Sequence, residues 1–298
     1  MSRVSRGTPA GDAYLDLQRR ARSQGRPTDE FIQLYVLEGF LARLSVSTVA
    51  DKFVLKGGVL LAAFGDRRPT RDVDLAGLDL ANDAETVLAL LREILSVELP
   101  EDDGLVFVHE SASAQVIRDE DEYSGVRVSM EARLATARPL FHIDVNFGDP
   151  IWPNPETVSV PRLRGGVPIR LAGYPLHMVH AEKIVTAVQR GTVNTRWRDF
   201  GDIWTLSNRH AIGGSDLESA IDHVADHRKA EIAPLRDVLD GYADYGQAKW
   251  SAWRRKSQYE HLPESFGSVL DDVIAFAQPA LAHEVADLEW APETRRWS

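Results

Sequence analysis

The sequence predicts an α/β protein, a mixed-sheet half followed by a mainly helical half. Three observations carry this. Residues 72–75, 126–134 and 140–147 alternate or run apolar in the manner of strands, with β-branched side chains. Residues 84–97, 175–190 and 196–207 instead repeat their apolar positions at helical spacing. Between the two kinds of pattern, Pro150, Pro153 and Pro155 crowd a short stretch, which marks the expected boundary between a domain at 1–155 and a helical domain at 156–298.

Taken in order, the chain opens polar, with a short amphipathic patch around Tyr14–Leu17. Phe31, Leu34, Tyr35, Leu41 and Leu44 then describe a helix over 29–45, capped by Thr28 or Asp29. Phe53–Leu55 is a short apolar strand, broken by Gly57-Gly58, after which Val59–Phe64 can open a helix. Asp72–Leu75 alternates acid and apolar. Asp83 caps a helix over 84–97. Leu105–Val108, Val126–Leu134 and Leu140–Phe147 follow as strands, and after the prolines the pattern is helical through much of 215–290.

A chain that is 44% hydrophobic and 27% charged is neither disordered, collagenous nor a coiled coil. With no cysteine, a disulfide scaffold, a thiolate zinc site and a cysteine nucleophile are excluded. No stretch of 18 apolar residues and no apolar leader is present, so the expectation is a cytoplasmic protein with no membrane partner. The net charge of −11 argues against nucleic-acid binding as a whole-molecule average. Its distribution does not. Residues 79–122 hold thirteen acids and two bases, and residues 161–198 hold seven bases and one acid. The acidic segment could repel RNA from other faces or meet a basic partner.

The chemistry concentrates at Lys56-Gly57-Gly58 and Asp72-Val73-Asp74. On a strand, Asp72 and Asp74 share a face, and two close carboxylates repel unless a divalent cation lies between them; oxygen ligands suit Mg²⁺. Asp144, on another predicted strand, supplies a third acid, and three acids can hold two metal ions for in-line phosphoryl or nucleotidyl displacement. Glycines let a backbone approach phosphate, and amides at a helix start favour anions. Each piece alone has a plainer reading, as a turn or a cap. A calcium loop starting at Asp72 is disfavoured, because position five is Ala76 and position twelve is Asp83.

Together, Lys56-Gly57-Gly58, Thr70-Arg71-Asp72-Val73-Asp74 and Ile143-Asp144-Val145 resemble the AbiEii/AbiGii-type toxin nucleotidyltransferases, with a polymerase-beta-like core. Ala181-Glu182-Lys183 and Arg196-Trp197-Arg198-Asp199-Phe200-Gly201-Asp202 extend the resemblance, which spans about 53–206. It implies a mixed-sheet nucleotidyltransferase core completed by the helical domain. It further implies Asp72 and Asp74 as metal ligands (Mg²⁺ or Mn²⁺), Asp144 as a third ligand or a base, and Lys183 on the nucleotide phosphates with Asp199 as an essential acid. Lys56, Gly57, Gly58, Arg71, Arg190 and Arg196 would complete the NTP site. The implied activity moves NMP from an NTP to RNA, at the tRNA 3′ end, blocking translation, and the implied partner is a separately encoded antitoxin. One departure is Val59, where a hydroxyl residue often follows the glycines. Phosphate contact then rests on backbone amides, Lys56 and nearby arginines.

The residues leave alternatives open. The acceptor could be a protein or small-molecule hydroxyl, or the chain could be a non-enzymatic nucleotide-binding regulator. On the 175–190 helix, His180, Lys183 and Arg190 fall opposite the apolar side and form a cationic stripe suited to triphosphate or RNA. Asp199 and Asp202 share a flank of the next helix. His223 and His227, four apart, could bind zinc but have no evident further ligand. Trp250 and Trp253 with Arg254, Arg255 and Lys256 read as packing, or as an RNA-stacking surface.

Overall fold

The computed structural model describes residues 4–118 and 124–298. Its elements are α1 (Pro9–Ser23), α2 (Thr28–Leu44), β1 (Phe53–Lys56), α3 (Gly57–Leu60), β2 (Asp72–Gly77), α4 (Ala84–Leu95), β3 (Val106–Phe107), β4 (Ser113–Arg118), β5 (Ser124–Arg133), β6 (Leu140–Phe147), β7 (Glu156–Val160) and β8 (Ile169–Gly173). They are followed by α5 (Leu176–Arg190), α6 (Trp197–Ser207), β9 (Ile212–Gly213), α7 (Gly214–Arg228), α8 (Leu235–Val238), α9 (Tyr242–Lys256), α10 (Phe266–Leu281), β10 (Glu289–Ala291) and β11 (Arg296–Trp297). The chain forms two compact units. One comprises Met1–Asp149 with Pro155–Tyr174, and the other Pro150–Asn154 with Pro175–Ser298.

The first unit is built on a mixed sheet in the order β3-β5-β6-β2-β1-β8-β7, with β4 also paired to β5. Parallel pairs (β2 with β6, β1 with β8) sit among antiparallel ones. The central strands bury Phe53, Val54, Leu55, Val73, Leu75, Ile143 and Val145 almost completely; by register all but Val54 share the face opposite Asp72 and Asp74, and the core lies there. This unit runs past the expected 155/156 boundary to Tyr174. β7 and β8, read from sequence as part of the helical half, return to the sheet: Leu55 pairs with Gly173, and the Tyr174 amide donates to the Leu55 carbonyl at 2.9 Å.

The N-terminal patch is a full helix. Thr8 Oγ1 accepts the Gly11 amide at 3.1 Å, Pro9 takes the first position, and Ala13, Leu17 and Ala21 bury its inner face at four-residue spacing. Asp83 caps α4 as expected, accepting the Thr86 amide at 2.7 Å. Residues 72–77 are strand, which removes the calcium-loop reading.

The second unit is helical apart from the short sheet β11-β10-β9. α5 buries Met178, Ala181, Ile184, Val185 and Val188, the apolar side that the periodicity predicts. Trp197, Phe200, Tyr242 and Phe266 form a cluster with ring centroids 5.2 to 5.9 Å apart. Trp250 is fully buried against Phe266 and Trp253, and its Nε1 donates to the Pro263 carbonyl at 3.0 Å. It therefore packs rather than offering a stacking surface. Among the described residues no helix is long and apolar enough to cross a membrane.

Candidate active site

β1 is buried along its whole length and delivers Lys56, Gly57 and Gly58 to the edge of β2. Gly57 has φ +65°, and a β-carbon there would collide with the Asp74 carboxylate. The position therefore requires glycine twice over, for conformation and for space. The Gly58 amide points to Asp74 Oδ2 at 3.4 Å, at the outer limit of a hydrogen bond. The glycine pair thus lies directly against a carboxylate.

β2 presents Asp72 and Asp74 on one face, both half-buried, while Val73 and Leu75 face the core. Asp74 is flanked in register by Lys56 on β1 and by Asp144 on β6. Burial pushes the Asp74 carboxyl well above the usual carboxylate range. The charges of Asp144 and Asp72 add to this, and Lys56 and the Gly58 amide oppose it. Asp144 is turned toward β5, where Arg127 donates to both its oxygens at 2.7 and 2.6 Å. That contact, first among the causes, holds the Arg127 guanidinium firmly charged. Asp72, Asp74 and Asp144 are therefore neighbours, but Asp144 is bound to a cation of the chain itself. Among the described residues no group of three histidine or acidic side chains converges on a metal position.

Of the expected phosphate-binding cations, Lys56 is held by an ion pair with Asp149 and lies 5.2 Å from the centre of the Tyr174 ring. Arg71 is exposed, and its carbonyl accepts Gln33 Nε2 at 3.3 Å. A further cation escapes the sequence reading. Arg68 is buried, and its two terminal nitrogens lie 3.2 Å from where a Gly58 β-carbon would project, beside Thr70 Oγ1 at 3.0 Å. In the sequence it is one more arginine in a charged turn. Its only signal is its place, four residues before Asp72.

The second unit carries its own cluster. Lys183 Nζ donates to Asp199 at 2.7 Å and to Asp202 at 2.8 Å, and Arg196 pairs with Asp199 at 3.2 Å. Asp199 and Asp202 do share a flank of α6, as their three-residue spacing requires, and Lys183 bridges them. The cationic stripe does not form as expected, because His180 has no exposed surface and packs 4.8 Å from Phe276. Burial, with the charge of Lys183, pushes its pKa down to about 3, so it is neutral. Arg190 lies in the last turn of α5, half-buried. His223 stacks on Trp152 at 4.3 Å and donates to the Ser219 carbonyl at 2.7 Å, an ordinary helix-surface role in place of the zinc reading.

Against known proteins, the chain matches the model of the nucleotidyl transferase AbiEii toxin family, type IV toxin–antitoxin system, over residues 39–284. The chain belongs to the AbiEii family. Two Helicobacter pylori crystal structures resemble the chain. One, described as a nucleotidyltransferase candidate, is 11% identical with a TM-score of 0.48, covering 86% of this chain and 96% of that one. The other, JHP933, is 12% identical with a TM-score of 0.45, covering 83% and 90%. No curated protein matches the sequence.

This AbiEii protein is accordingly a nucleotidyltransferase of a toxin family whose systems include a separate antitoxin. Nucleotidyltransferases of this kind use an NTP and a divalent metal. Asp72 and Asp74 fit such an ion: two carboxylate side chains on one strand face, with Asp74 crowded by like charge that a cation would relieve. Asp144 fits only as far as its bond to Arg127 allows.

Proposed function

We propose that this AbiEii protein moves NMP from an NTP to the 3′ end of tRNA, so blocking translation, in a Mg²⁺- or Mn²⁺-dependent reaction. The observation that carries this is the Asp72–Asp74 face set against the Gly57-Gly58 turn, with Arg68 beside it. Asp72 and Asp74 would hold the metal, which supplies charge stabilisation to the transferring phosphoryl group when bound. The RNA hydroxyl oxygen bonds to the α-phosphorus, the bond to the β-phosphate's bridging oxygen breaks, and pyrophosphate leaves with that electron pair. Asp144 is proposed as a further ligand or as the acceptor of the hydroxyl proton; its two-point bond with Arg127 fixes its orientation. Backbone amides at Gly57 and Gly58, with Arg68 and Arg71, are proposed to bind triphosphate. Lys183 and Asp199 are proposed to be required for transfer, with Lys56, Arg190 and Arg196 contributing charge. A separately encoded antitoxin is proposed to counteract it.

The test incubates the protein with Mg²⁺, each α-labelled NTP in turn and deproteinised total tRNA, followed by a denaturing gel. Label in RNA that disappears in Asp72→Asn is the expected result. Lys183→Arg, which keeps the ion pairs' charge, is expected to retain the fold and lose most transfer. NTP binding without label in RNA would move the acceptor to a protein or small-molecule hydroxyl.

A further inference from the structure

On a chain of net charge −11, residues 17–28 and 157–174 contain no acidic residue. In the first unit these stretches meet. The Arg20 guanidinium donates to the Leu163 carbonyl, Arg67 to the Pro161 carbonyl, and Arg162 Nε to the Val167 carbonyl at 3.0 Å. Arg164 pairs with Asp16 at 3.0 Å, and Arg6 shares that carboxylate at 2.8 Å. Arg19 and Arg22 stand exposed on the same end of α1. The acid beneath, Glu38, is buried and accepts the Leu163 amide at 2.7 Å; Arg67 is 3.9 Å away.

The nature of these bonds decides what the surface can do. A carboxylate partner would cancel a guanidinium's charge. A carbonyl fixes its direction and leaves the charge in place, with most of its five N–H donors facing elsewhere. Arg20 and Arg162 are anchored by carbonyls, and Arg67 is anchored by a carbonyl with the Glu38 carboxylate 3.9 Å away. Such preset planar forks match phosphate oxygens. Gly165 and Gly166 keep the adjoining loop open, since among the described residues nothing lies within 4 Å of where their side chains would project. Among the described residues, no exposed aromatic side chain of the sort that anchors protein interfaces accompanies the patch. Arg67 also directly precedes Arg68, which lies against Gly58, so the patch adjoins the glycine turn.

We propose that this arginine surface, made from α1, the 65–68 turn and the 161–168 loop, binds the phosphate backbone of the acceptor RNA. The proposal rests on the reading that the acceptor is RNA. It goes beyond it in assigning the binding surface, part of which comes from α1, ahead of the family-matched region.

The experiment uses the full chain and the triple variant Arg20→Gln/Arg162→Gln/Arg164→Gln. Glutamine keeps an amide donor for the local carbonyls and removes the charge. Binding of deproteinised total tRNA is measured across a salt series, alongside NTP binding without RNA. The expected result is weaker RNA binding with a salt slope shallower by about two, one for each of the carbonyl-anchored cations Arg20 and Arg162, and unchanged NTP affinity. The corresponding triple lysine variant should restore the slope, which separates charge from folding. Wild-type-like RNA affinity and slope in the glutamine variant would overturn the surface while leaving the RNA acceptor standing. Failure of the wild-type protein to bind RNA at any salt would overturn the acceptor reading and the surface with it. Tighter binding of polyglutamate than of RNA, lost in the same variant, would overturn it in favour of an acidic protein partner.

Discussion

His180 is the residue whose surroundings make the sharpest demand. Neither ring nitrogen has a hydrogen-bond partner among the described residues, and the side chain has no exposed surface. Burying such a group without partners costs about 1–3 kcal/mol. The folded protein resists protonating it until about pH 3, whereas the unfolded chain takes up the proton near its ordinary value of 6.5. Between those values the unfolded state binds more protons, so stability falls as pH falls, by up to about 1.4 kcal/mol per unit. His180→Leu should therefore raise stability at pH 7 and flatten its decline from pH 6.5 downward. Urea melts of both proteins at pH 7 and pH 5 check this. An equal loss in both would mean that other groups set the acid sensitivity.

At the scale of elements, the turn between β1 and α3 carries the most constraint. Gly57→Ala must adopt φ +65° and push against Asp74, and both effects are internal to a buried strand pair. A loss of about 2 kcal/mol or more is expected, together with loss of transfer. Gly58→Ala first meets the ends of the Thr70 and Arg68 side chains, at 3.0–3.2 Å, and should fold well while weakening NTP binding through Arg68. Comparing the two by thermal melt and NTP titration tests the assignment; equal stability losses would contradict it. The same elements show what the sequence could reveal. Asp72-Val73-Asp74 and the strand at Leu140–Phe147 were legible because alternation fixes the face of every side chain. β7 was not, since three of its five residues face solvent and no apolar run announces it. β8 owes its place to pairing with β1, a contact 118 residues away in sequence (Leu55 with Gly173) that no local pattern encodes. In the site, the carboxylate pair could be read, but Arg127 and Arg68 could not. Their roles come from the cross-strand register and the turn's path, whereas the sequence shows two arginines among many. His180 misled for a related reason. The helical projection placed it opposite the apolar side, yet Phe276 from α10 covers it.

At the scale of the whole molecule, the family match and the folding requirement do not coincide. The match begins at residue 39, in the middle of α2. That helix is buried on nearly all sides: Phe31, Ile32, Leu34, Tyr35, Val36 and Leu37, all before the match begins, are each at most 6% exposed. At about 1.5–3 kcal/mol for each large apolar side chain, the burial lost by removing them is on the order of 10 kcal/mol, comparable to the entire stability of a typical domain. Glu38, which holds the Leu163 amide and so the 161–168 loop, would go as well. A chain shortened to begin at Gly39 should therefore lose the first unit's cooperative fold even though it retains the family-matched sequence, Asp72, Asp74 and Asp144 included. Limited proteolysis and circular-dichroism melts of the shortened and full chains make the comparison. A shortened chain that melted cooperatively, with residues 39–174 resistant to protease, would show that α2's first half is dispensable and that the sheet supports the carboxylate site without it.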